Sequence, residues 1–80
     1  MNIFVASLNF RTNEDSLQSL FEQYGEVDSC KIIYDKFSGK SKGFGFVEMP
    51  DDAKAREAIE ALNDTEFEDR NLVVKEARPR

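Results

Sequence analysis

Apolar positions along the chain repeat with two different periods, and the switches between them mark out the elements. Residues 2–8 (Asn-Ile-Phe-Val-Ala-Ser-Leu) are a short apolar run with β-branched members, which predicts a strand. Thr12 to Asp15 supplies a Thr-x-x-acid capping pattern. Leu17, Leu20, Phe21 and Tyr24 then recur at i, i+3, i+4 and i+7, the stripe of an amphipathic helix, with Gly25 placed to close it as a left-handed cap. Residues 27–34 predict a second strand, and residues 35–41 a loop around Gly39. Residues 42–49 (Lys-Gly-Phe-Gly-Phe-Val-Glu-Met) alternate with period two, as a third strand does. Pro50-Asp51-Asp52 opens a second helix with acids at its positive end, and Ala55, Ala58, Ile59 and Leu62 form its buried stripe. A polar turn region around Phe67 leads to a last strand over residues 71–77 and a basic end, Arg78-Pro79-Arg80.

The order is β-α-β-β-α-β, an α+β domain. Two helices can cover only one face of a four-stranded sheet, so the other face meets water or a partner. In the third strand, Lys42, Phe44, Phe46 and Glu48 share one face, and Gly43, Gly45, Val47 and Met49 the other. Hydrophobicity alone would bury the two phenylalanines, but it would bury Lys42 and Glu48 with them, and unpaired buried charge is expensive. The opposite register buries Val47 and Met49 and leaves Phe44 and Phe46, with Phe4 of the first strand, on the open face. Three solvent-facing rings form a patch that a monomer rarely carries without use. Flat rings beside cations suit a single-stranded nucleic acid, each stacked base being worth about 1–3 kcal/mol. Micromolar affinity needs about 8 kcal/mol net of ordering costs, so charge contacts must add to three stacked bases.

Composition narrows the alternatives. Eighty residues, 40% of them hydrophobic, make one domain over 1–80 with one thin core. The absence of His removes most nucleophile–base relays and most zinc sites, so no catalytic set, metal or cofactor is expected. A lone cysteine, Cys30, forms no internal disulfide, and it reads as a small core residue rather than a reactive thiol. No apolar run approaches the roughly 18 residues that span a membrane, and the first residues lack the basic and apolar regions of a signal peptide. A soluble, cytoplasmic monomer without membrane contact is the expectation.

Lys42-Gly43-Phe44-Gly45-Phe46-Val47-Glu48-Met49 resembles the octamer of the RNA recognition motif, and Ile3 to Leu8 resembles its shorter hexamer. The likeness covers essentially the whole chain and extends to short single-domain bacterial RNA-binding proteins. It implies a ferredoxin-like βαββαβ sandwich with an antiparallel sheet of order 4-1-3-2 and two helices on one face. It also implies residue roles. The Phe4 and Phe46 positions stack neighbouring bases, the Phe44 position packs between two sugars, and the Lys42 position pairs with phosphate. Lys31 and Ile33 on the second strand, and Lys75 and Ala77 on the last, face the same surface, with Arg78 following. Met49 departs from the family's closing aromatic at a position facing the helices. Ser7 replaces an Asn, and Asp69 stands where a Gly often precedes Arg70.

The net charge of −5 argues against tight non-specific binding through charge alone. Its distribution matters more. Lys31, Lys36, Lys40 and Lys42 meet one acid, Asp35, while residues 51–69 are strongly acidic and read as solvated helix and turn surface. Phe37, in the loop, either stacks on RNA or folds back onto the sheet edge, and Tyr24 and Tyr34 read as packing residues. The resulting function is binding of single-stranded RNA, or of single-stranded DNA, in post-transcriptional regulation or RNA chaperoning. A protein-interaction module on the same scaffold is the alternative. An acylphosphatase-like enzyme needs an Arg in a phosphate-cradling loop; Arg11 has no Gly-rich loop around it.

Overall fold

A computed structural model describes residues 1–77. The elements run β1 (Asn2–Ala6), α1 (Glu14–Glu22), β2 (Ser29–Tyr34), β3 (Ser41–Glu48), α2 (Asp52–Leu62), β4 (Glu66–Phe67), β5 (Arg70–Asn71) and β6 (Val73–Ala77). The main sheet is antiparallel with order β2-β3-β1-β6, the expected 4-1-3-2 arrangement once β6 is taken as the fourth long strand. The core is a single layer. Ile3 and Val5 of β1, Ile32 of β2, Val47 of β3 and Val74 of β6 meet Leu17 and Phe21 of α1 and Ala55, Ala58 and Leu62 of α2. Met49 is fully buried in that layer.

Two expectations about α1 are corrected. The capping residue is Asn13, whose side chain accepts from the Ser16 N–H at 2.8 Å. Thr12 is instead buried, and its hydroxyl donates to the Glu68 carboxylate. Gly25 does not close the helix in a left-handed conformation; the cap is Gln23 in the right-handed region. Gly25 is required for proximity, because a methyl group there would stand 2.9 Å from Cβ of Lys54 on α2.

The polar stretch before the last strand is a small hairpin, β4 paired with β5. Its two turn residues, Glu68 (φ 49°) and Asp69 (φ 69°), are both left-handed, as a two-residue hairpin with the sheet's own twist demands. The Glu68 backbone carbonyl also accepts from the Asn9 side-chain amide at 2.9 Å, so the hairpin is tied to the β1–α1 loop.

The β2–β3 pair carries an irregularity. Ile32 faces Gly45, but Tyr34 faces Ser41, so β3 bulges around Gly43, whose φ of 84° suits a residue without Cβ. At Gly45 the need is spatial: a side chain would stand 2.4 Å from the Lys31 carbonyl oxygen.

Candidate functional site

The helices leave the other sheet face uncovered, and strand register decides what stands on it. Directly opposed residues on neighbouring strands project to the same side. Lys31 opposes Phe46, Phe46 opposes Phe4, and Phe4 opposes Lys75. One row therefore crosses all four strands, with a lysine at each edge and two phenylalanines between. The next row places Phe44 opposite Ala6, and Ala6 opposite Val73. The row on the other side holds Ser29, Glu48, Asn2 and Ala77.

The three rings touch one another. Phe4 lies 5.8 Å from Phe44 and 5.6 Å from Phe46, centroid to centroid, and Phe44 lies 6.5 Å from Phe46. Phe4 and Phe46 are tilted by 55°, so no flat group can lie parallel to both, and each ring offers its own outer surface. Phe46 is 39% exposed, and Phe4 and Phe44 are half-buried. Mutual ring contact explains how three phenylalanines tolerate an open face, since tilted aromatic pairs at this separation attract beyond their area burial.

Lys31, Lys42 and Lys75 are exposed, and Ile33 and Ala77 are half-buried. Lys42 stands at the bulged end of β3, where it lines a hollow of about 270 Å3 with Phe4, Phe44, Phe10 and Arg70. The structure thus brings Phe4, Phe44, Phe46, Lys31, Lys42 and Lys75 together. Ala77 sits apart in the Glu48 row, and Ile33 lies at the β2 edge where register with β3 breaks. Arg78 lies outside the described residues. Among the described residues the one ion pair joins the Met1 amino group to Asp52, so no lysine or arginine side chain is held by a carboxylate.

Several neighbours of the site were not anticipated. Phe10 is 68% exposed at the rim of the hollow, and Arg70 reaches it from the hairpin. Tyr34 is 41% exposed rather than packed, and its hydroxyl donates to Glu14 at 3.0 Å. Phe37 does not fold back onto the sheet: it is 99% exposed. Its loop is ordered by Asp35, whose carboxylate accepts from the Phe37 and Ser38 backbone N–H groups at 2.8 and 3.0 Å. Those bonds, Ser38's first and then Phe37's, with Lys42 adding its charge, hold the Asp35 carboxyl below its ordinary pKa. Behind the sheet, burial and then the Glu14 and Asp15 carboxylates push the Cys30 thiol up to about 11.

Comparison with known proteins agrees with this geometry. The profile of the RNA recognition motif matches residues 3–73. A glycine-rich RNA-binding protein of Daucus carota is 44% identical over 77 residues, covering 96% of this chain and 49% of its own length. The chain therefore spans about half of that plant relative. The Nostoc protein RbpB is 42% identical over 80 residues, covering all of this chain and 78% of its own. Among solved structures, the RNA binding protein PG1 superposes with a TM-score of 0.96 at 54% identity, covering 100% of this chain and 96% of that one. The Sxl-lethal protein/RNA complex superposes with a TM-score of 0.92 at 30% identity, covering 99% of this chain and 47% of that one.

Proposed function

Because this chain belongs to the RNA recognition motif family, we propose that it binds single-stranded RNA across the open face of its sheet, without turning it over chemically. The observation that carries the reading is the row Lys31–Phe46–Phe4–Lys75. Two bases stack side by side on Phe46 and Phe4, Phe44 packs against the sugars, and lysines at both edges and at position 42 meet the phosphates. Paired bases could not lie flat on those rings, so the row selects single strands. Contacts of this kind tolerate many sequences, which suits RNA chaperoning or post-transcriptional regulation.

An amide NMR titration with a short random-sequence single-stranded RNA tests this at low and moderate salt. Shifts gathered at Phe4, Phe44, Phe46, Lys31, Lys42 and Lys75 are expected. Shifts confined to the helix side, or none at high micromolar RNA, would overturn the reading in favour of a protein-interaction module.

A further inference from the structure

The hollow at the Lys42 end of the sheet has a larger neighbour. A trough of about 660 Å3 opens between the β1–α1 loop, with Phe10 and Arg11, and the β2–β3 loop, with Lys40 and the adjoining Tyr34. Phe10 and Lys42 line both spaces, so the two adjoin there. An exposed ring held on a short loop, with a second ring, Tyr34, nearby, is apolar surface that packing within this domain does not explain.

Charge decides what fits there. Arg11, Lys40 and Lys42 surround the trough, and none is paired with a carboxylate among the described residues. The one carboxylate in its wall, Asp35, is already occupied by two backbone N–H groups. The opposite end of the sheet is the contrast, where Glu48, Asp52 and Glu76 line a hollow with Arg56 and the Met1 amino group, which pairs with Asp52. A polyanion crossing the aromatic row is therefore drawn towards the Phe10 end and repelled from the other.

We infer that the trough is a further nucleotide site, in which the RNA strand crossing the sheet continues past Phe44, lays one more base against Phe10, and sets its phosphate among Arg11, Lys40 and Lys42. The inference rests on the sheet-binding reading and extends it beyond the sheet. Volume is compatible, since ligand sites commonly run from about 300 to 1,000 Å3.

The test uses random-sequence oligoribonucleotides of two, three, four and five nucleotides, titrated into the wild-type protein, Phe10→Ala, Phe10→Tyr and Phe46→Ala. Phe10→Ala should bind the two-nucleotide probe like the wild type and lose about 5- to 150-fold on the longest, the loss of one stacked base. Phe10→Tyr, which keeps a ring, should restore the longer probes. Amide shifts at Tyr34, Gly39 and Lys40 should appear only with the longer probes. If Phe10→Ala matches the wild type at every length while Phe46→Ala weakens binding, the further site is refuted and the sheet reading survives. An equal loss for Phe10→Ala at all lengths would place Phe10 on a sheet-bound base and also refute it. If Phe46→Ala binds every probe like the wild type, the sheet reading fails and takes the inference with it.

Discussion

Phe46 and Val47 are neighbours in the chain and stand on opposite faces of the sheet, so truncating each to Ala should give opposite outcomes. Val47 is 1% exposed. Val47→Ala removes two methyl groups, costing about 1.6 kcal/mol of transfer energy at ~0.8 kcal/mol each, and about 2–3 kcal/mol once a cavity is added. For a domain of this size that lowers Tm by about 8–24 °C. RNA affinity measured at 10 °C should stay within about twofold, because total stability of about 4–12 kcal/mol leaves the variant folded. Phe46 is 39% exposed and touches two rings. Phe46→Ala should cost about 1 kcal/mol of stability, or about 4–8 °C. Its RNA affinity should fall by about 5- to 150-fold through the loss of one stacked base. Thermal unfolding and fluorescence-anisotropy titration on both variants read the two quantities separately. Equal affinity losses in folded Val47→Ala and Phe46→Ala would refute the assignment of faces to functions.

Three other outcomes follow from named groups. With Lys31, Lys42 and Lys75 on phosphates, the log–log dependence of affinity on salt should have a slope of about −2, and Lys31→Ala should reduce it by about 0.7; a slope near zero would remove those cations from the interface. Cys30, held at about 11 against an ordinary 9.0, should react with iodoacetamide at pH 8 about 100-fold more slowly in the native protein than in urea. Its raised folded pKa contributes stability that is present below pH 9 and lost as pH rises through about 11, so alkaline unfolding should steepen in that window and be blunted in Cys30→Ala. Asp69→Gly relieves a left-handed residue in the hairpin turn and should raise stability by about 0.5–1 kcal/mol, read as a higher Tm; no gain would mean the turn adopts another geometry in solution.

The parts of this molecule that were readable in advance are those where burial imposes a period. In β3 the alternation sorts Phe44 and Phe46 from Val47 and Met49, because a one-residue slip would have buried Lys42 and Glu48. The α2 stripe of Ala55, Ala58 and Leu62 is equally plain. The parts that were not readable depend on distant contacts. Thr12 and Asn13 are both good capping residues, and Asn13 caps because Thr12 is engaged by Glu68, far along the chain. Gly25 resembles a helix stop but answers to Lys54 of α2. The β4–β5 turn has no glycine to announce it. Phe10 and Arg70 lie on loop and hairpin, where no period exists to predict a facing direction, and only the assembled fold shows them at one rim.

Glu68 holds two pieces of that rim at once. Its carbonyl takes the Asn9 amide 59 positions away, and its carboxylate takes the Thr12 hydroxyl, so the loop carrying Phe10 and Arg11 is fastened to the hairpin carrying Arg70. Left loose, each segment would have to be immobilised when a ligand arrives, at about 0.5–1.5 kcal/mol for every flexible side chain stilled. The clamp moves that loss of freedom to the folding step, where the whole core shares it. On the proposed reading, a strand reaching this end of the sheet meets a rim already in shape, held by one acidic residue that need never touch it.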